Sequence, residues 1–243
     1  MNYLFICGTA RSGTTAMWRL LTSDERIVLG LERYSVLYDK QKPNKELFSF
    51  ERFHDLRQHD TFYQSFPPYY QKAERLFNNA LYIGDKTPKL FNHLDSLLTQ
   101  IPSAKVIFML RNIIDVAASY EARANNEDDK TWSATRRTAH AINDWKQSLM
   151  ILKQYSDDER VLPIIYEDFF SANNTLEPLY QFLELKTNDA VNLAYNNIIN
   201  KSSKLEGQRK RELTINAVQQ ICETAPFGLY REVLQKIRAK QNK

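Results

Sequence analysis

Cysteine is nearly absent from this chain. Cys7 and Cys222 are its only two, so no disulfide framework holds the fold and apolar packing must do so. Cys7 falls in an apolar run and Cys222 in a helical pattern, and both are expected to be reduced core residues. Long hydrophobic runs are missing too: no stretch approaches a membrane span. Met1-Asn2-Tyr3-Leu4-Phe5-Ile6-Cys7 has neither the basic leader nor the apolar length of a signal peptide. The expected location is therefore cytoplasmic. Charge of one sign is also scarce, since a formal +4 suits an anionic ligand but is equally ordinary for a soluble protein, and no nucleic-acid partner is expected. Internal repeats and low-complexity segments are not evident.

What is present suffices for one large α/β domain over residues 1–243, since the chain is 43% hydrophobic. Tyr3 to Cys7, Leu81 to Ile83, Val106 to Leu110 and Val161 to Ile165 are short apolar runs of the length and bounding expected of buried strands. Helical patterns separate the later ones, which predicts a mostly parallel sheet with helices packed around it. From Thr131 to Tyr155, Ile142, Trp145, Leu149 and Leu152 recur at three- and four-residue spacing and predict a long helix covering the sheet. Residues 41–80 scatter aromatics among charges and are interrupted by Pro67-Pro68, which suggests an irregular or helical insertion capping the site. The basic end, Lys236 to Lys243, is expected to be a frayed helix terminus.

Gly8-Thr9-Ala10-Arg11-Ser12-Gly13-Thr14-Thr15 lies directly after the first strand and before a helix, so backbone N–H groups and the helix N-terminus can converge on a phosphate. The spacing matches the P-loop except that Thr14 stands where its lysine would be. A nucleoside triphosphatase without that lysine loses its main clamp on the transferred phosphate. A donor with a single 5′-phosphate has less need of it. Arg11 can supply positive charge, while Ser12, Thr14 and Thr15 add hydroxyls to the backbone donors of Gly13 and its neighbours.

A second element follows the run Lys105 to Leu110. Arg111 ends the strand, and Ser119 and Arg123 share one face of a helix beginning near Asp115. Three donors can then meet one phosphate, although Arg111 and Arg123 could instead pair with Asp115 or Glu121.

Together the elements resemble the PAPS-dependent sulfotransferases, where PAPS is 3′-phosphoadenosine 5′-phosphosulfate. The R-S-G-T-T loop looks like their 5′-phosphosulfate loop, and L-R-N-I-I-D-V-A-A-S like their 3′-phosphate motif. The resemblance runs from residue 3 to about 170 and implies a P-loop-like three-layer fold. Gly84-Asp85-Lys86-Thr87-Pro88 resembles the segment carrying the family's catalytic lysine, which makes Lys86 the leaving-group partner. Ile165-Tyr166-Glu167-Asp168-Phe169 resembles the segment whose tyrosine, here Tyr166, lies near the adenine. Arg123 matches a further 3′-phosphate arginine of the tyrosylprotein and related branches. The basic run Lys201, Lys204, Arg209, Lys210, Arg211 falls where the family places a loop closing over the 3′-phosphate, with Arg209 and Lys210 as candidate contacts.

Small-molecule sulfotransferases carry a histidine base two residues beyond the lysine, where this chain has Pro88. Glu32 matches instead the glutamate base of the tyrosylprotein-like and bacterial carbohydrate-type branches, with His93 and His140 as fallback bases and an Arg33 ion pair as the competing role for Glu32. The resemblance implies sulfuryl transfer from PAPS to an acceptor hydroxyl, releasing 3′-phosphoadenosine 5′-phosphate (PAP), with no metal required. A glycan or glycolipid leads among acceptors, supported by aromatics such as Tyr34, Tyr38, Tyr69 and Tyr70, and tyrosine-containing peptides and small-molecule alcohols stay open. The rivals are a P-loop phosphotransferase and a non-enzymatic nucleotide-binding protein.

Overall fold

Short apolar runs become parallel strands: β1 (Asn2–Gly8), β2 (Ile27–Leu31), β3 (Tyr82–Lys86), β4 (Ala104–Leu110) and β5 (Val161–Ile165), in the order β2-β3-β1-β4-β5. The computed structural model describes residues 2–38, 40–57, 60, 67–171, 174–209 and 213–241, the side chains of 67, 68, 203–209 and 241 excepted. Strand side chains alternate between two faces. Phe5, Cys7, Val106 and Phe108 enter one buried cluster, while Leu4, Ile6, Ile107 and Met109 enter another. Helices cover both faces, which is why the strands are mostly apolar rather than alternating, with Asp85 and Lys86 at the end of β3 as exceptions. The result is the expected three-layer α/β architecture. Phe108 is fully buried, and truncating a core phenylalanine to alanine costs about 3–5 kcal/mol.

β2 was not expected. It pairs only with β3, and Gly30 interrupts its apolar run. That glycine is required by close approach, because a Cβ there would lie 2.7 Å from Asp85 Oδ1.

The long helix runs Thr138–Tyr155 and buries Ile142, Trp145, Leu149 and Leu152, but it begins later than its periodicity suggested. Residues 131–137 form a loop instead. Trp132 Nε1 donates to the Arg136 carbonyl at 3.1 Å, and the Arg123 and Arg136 guanidiniums lie 4.6 and 4.3 Å from its ring. Those contacts outweigh helical propensity there.

Between β2 and β3 come a 3₁₀ turn, Lys45–Phe48, and helices Phe50–His54 and Pro67–Phe77. Pro67-Pro68 opens a helix, a position where proline's missing N–H costs nothing. Phe48, Phe53, Tyr70 and Phe77 are core residues, and no described residue of 41–80 lines the main cavity. The described residues of the segment buttress the chain after β2 and do not cap the cavity.

Cys7 is buried but Cys222 is exposed, because Ile221 takes the buried side of helix Ile215–Thr224. The C-terminal helix Phe227–Gln241 is held, with Val233 and Ile237 buried and Lys236 paired to Asp157 at 2.5 Å. Among the described residues no helix is long and apolar enough to cross a membrane.

Candidate active site

At the C-terminal end of β1 the chain turns through Gly8 (φ +137°), Arg11 (φ +70°) and Gly13 (φ +96°) before helix Thr14–Leu21. Positive φ is costly for Arg11, which carries a Cβ, and such strain concentrates at functional turns. Gly13 is required twice over, since a Cβ there would also lie 2.2 Å from Tyr166 Cδ2. The N–H groups of the first helical turn have no intrahelical acceptor and add a positive dipole end.

Tyr166 joins the two elements expected to hold phosphate. Its ring packs on Gly13, the Arg111 guanidinium lies 4.2 Å over it, and its hydroxyl is 2.5 Å from Ser202 Oγ. Helix Ile113–Ala124 starts at an Asn112 cap, two residues before the expected Asp115. Ser119 and Arg123 lie on it, but the donors are distributed differently from the predicted trio. Arg11 Nε donates to Ser119 Oγ at 2.8 Å, Arg111 Nη2 to Asp115 Oδ2 at 3.0 Å, and Arg123 Nε to Asp129 Oδ2 at 2.5 Å. The Arg111–Asp115 pair foreseen as an alternative is therefore made, and it is buried.

Thr14 and Thr15 line the cavity with Arg11, Gly13, Arg111, Arg123 and Tyr166. Ser12 does not: its hydroxyl is buried beneath the loop with no hydrogen-bond partner among the described residues. Helix Asp189–Arg209 runs through the basic segment in which a closing loop was expected, and Lys201 lines the cavity. The Arg209 side chain and Lys210 lie outside the described residues.

At the other end of the cavity, Lys86 closes β3 with 1% of its surface exposed. Its Nζ lies 2.5 Å from Glu32 Oε1 and 3.2 Å from Thr15 Oγ1. Burial lowers the lysine's pKa below its ordinary value, with Glu32 acting against the shift. Glu32 follows β2 at φ +55°, and its N–H donates to the Lys86 carbonyl at 2.7 Å. The alternative Glu32–Arg33 pair is not made. Arg33 turns into the core, fully buried, and donates to Asp60 and to the carbonyls of Arg52, Phe53 and Asp55.

The cavity holds about 1050 Å³, at the upper end for small-molecule sites and enough for a nucleotide with an acceptor beside it. Ser35, Lys89, Asn92 and His93 line the Glu32 end, whereas His140 is exposed elsewhere. Sequence reasoning missed Lys89 and Asn92 as lining residues. Their signal was position, on the 3₁₀ turn Pro88–His93 directly after Lys86.

The sulfotransferase family profile matches residues 4–189, from β1 to the start of the Asp189–Arg209 helix. The chain belongs to the sulfotransferase family. No curated protein matches it. Among solved structures it is similar to sulfotransferase STF9 from Mycobacterium avium, with TM-score 0.50, 14% identity, and coverage of 90% of this chain and 74% of that one. The sulfotransferase domain of the Synechococcus PCC 7002 olefin synthase gives TM-score 0.51 and 19% identity, covering 78% and 76%. Mouse sulfotransferase SULT7A1, complexed with PAP, gives TM-score 0.50 and 17% identity, covering 82% and 64%. At these identities the likeness is one of fold. Among the described residues of this sulfotransferase, no group of three or more His, Cys, Asp or Glu is placed to hold a metal ion.

Proposed function

We propose that this sulfotransferase takes its sulfuryl group from PAPS and passes it in line to an acceptor hydroxyl, with Glu32 as base and Lys86 beside the leaving phosphate. The observation that carries the reading is the meeting of Glu32, Lys86 and Thr15, at 2.5 and 3.2 Å, beside a phosphate-type loop and helix N-terminus. Transfer requires the acceptor proton to leave as the new O–S bond forms and the S–O bond to the phosphate breaks. Glu32 receives that proton, and 29% of its side chain stays open to the cavity for the acceptor to reach. Lys86 stabilises the charge that develops on the phosphate oxygen, in a buried setting where such stabilisation is strong.

Arg11, Arg111, Ser119 and Arg123 are assigned to the nucleotide phosphates, and Tyr166 to the adenine end. A glycan or glycolipid acceptor is supported by the hydrogen-bonding wall of Ser35, Lys89 and Asn92. Tyr34, Tyr69 and Tyr70 do not add to it, because they pack in or against the core rather than line the cavity.

Calorimetric titration with PAP, with ATP and Mg²⁺ in parallel, tests the donor. Micromolar or tighter PAP binding, weakened in Arg111→Ala and unmatched by ATP, is expected. Preference for ATP would return the chain to phosphoryl transfer. For the base, Glu32→Gln should lower turnover by about 10²–10⁴-fold with PAP affinity nearly intact, and a wild-type rate in that variant would remove Glu32 from the mechanism.

A further inference from the structure

The turn that presents Glu32 is held by a carboxylate with no part in the chemistry above. Asp85 immediately precedes Lys86 on β3 and is fully buried. Its Oδ1 accepts the Arg33 N–H at 3.3 Å, and its Oδ2 accepts the Tyr34 N–H at 3.3 Å and the Thr87 hydroxyl at 3.0 Å. Successive N–H groups beside a left-handed residue form a concavity that favours an anion. Glu32 is that left-handed residue, at φ +55°, and the anion is built into the neighbouring strand. Gly30 leaves the space for it, since a Cβ at that position would meet Asp85 Oδ1.

We propose that Asp85 is a positioning residue for sulfuryl transfer: it holds the left-handed turn at Glu32 and thereby keeps the Glu32 carboxylate directed at Lys86 Nζ and the acceptor. The inference rests on Glu32 being the base. A left-handed conformation is unfavourable for glutamate in isolation, so something must hold it, and the carboxylate does so through the two N–H groups that follow.

Several charged and titratable groups face Asp85. Arg33 and Lys86 bring positive charge, while Asp60 beyond Arg33 and Glu32 beyond Lys86 bring negative charge. The phenols of Tyr34, Tyr38, Tyr69 and Tyr70, from the segment after β2 and from helix Pro67–Phe77, are kept neutral by burial. Burial pushes the Asp85 carboxyl up to about 6, opposed by the Thr87 hydroxyl, the Tyr34 and Arg33 N–H groups and Lys86. Near that pH the carboxylate gains a proton and loses its grip on the turn.

The test pairs amide hydrogen exchange at Arg33 and Tyr34 with sulfate release from radiolabelled PAPS, water serving as the acceptor. In the wild type, both amides should exchange about 10-fold faster, beyond the intrinsic trend, as pH falls through about 6. In Asp85→Asn at pH 8 they should exchange about 30-fold faster than wild type, with sulfate release down by a similar factor and PAP affinity within about twofold. Thr87→Val removes one donor to the carboxylate, so the exchange midpoint should move up by about 0.5–1 pH unit. This second variant decides the matter if Asp85→Asn does not fold. Amides still protected in Asp85→Asn, or an unmoved midpoint in Thr87→Val, would overturn the proposal. Unchanged sulfate release in Glu32→Gln overturns the base and this inference with it. Lost release there with wild-type release in Asp85→Asn overturns the inference alone.

Discussion

At the proposed nucleotide end the cavity draws on two short continuous stretches, Gly8–Thr15 and Leu110–Arg123, with Tyr166 between them, whereas at the proposed transfer end Glu32 and Lys86 are 54 residues apart. The nucleotide end is built from loop geometry and a helix start, and Arg11 and Arg123 are partly open. The transfer end is built on buried charge: Arg33, Asp85 and Lys86 are each at most 1% exposed. A buried ion leans on its partners, because removing one leaves an uncompensated charge in a poorly polarisable interior. Donor binding should therefore tolerate changes at the transfer end, and transfer should tolerate very little.

The strongest test of that separation is Lys86→Met. Turnover should fall about 10³-fold, the scale of losing one transition-state donor, while PAP titration stays near wild type. Loss of both would show that the two ends are one unit.

Asp85→Asn sharpens the contrast through stability. The folded carboxyl is raised from 3.8 to about 6, so the folded state binds this proton more tightly than the unfolded state. The resulting cost is absent below pH 3.8, grows as pH rises to about 6, and stays complete above, at about 3 kcal/mol. Denaturation followed from about pH 4 to about pH 7 should accordingly show this fall in stability in the wild type and not in Asp85→Asn, and the same fall in the variant would assign it to another group.

Gly13→Ala strikes the nucleotide end. Strain at φ +96° and the clash with Tyr166 should cost about 1–3 kcal/mol, seen as weaker PAP binding and a lower melting temperature. Among the arginines, Arg111→Ala should weaken PAP binding by about 10–100-fold, the scale of a charge-assisted hydrogen bond. Arg123→Ala should do less, about fivefold, because Asp129 and Thr131 already hold its guanidinium. An Arg123 effect equal to that of Arg111 would show that the nucleotide draws Arg123 away from Asp129.

Spacing along the chain was enough for much of this. Apolar runs of strand length separated by helical patterns imply a parallel three-layer sheet, and a glycine-flanked loop between strand and helix implies an anion site, because both depend on contacts within a few residues. Pattern failed where a neighbour distant in sequence decides the outcome. It did not reveal that β2 is a strand, since only pairing with β3 makes it one. It could not show that Glu32 and Arg33, adjacent in the chain, project to opposite sides. Nor could it show that Asp85 holds the turn between them, because a side chain's direction is settled by the hydrogen bonds and burial it finds across the sheet. The family and its phosphate loop thus follow from local chemistry, while the meeting of Glu32 with Lys86 exists only once β2 and β3 lie side by side.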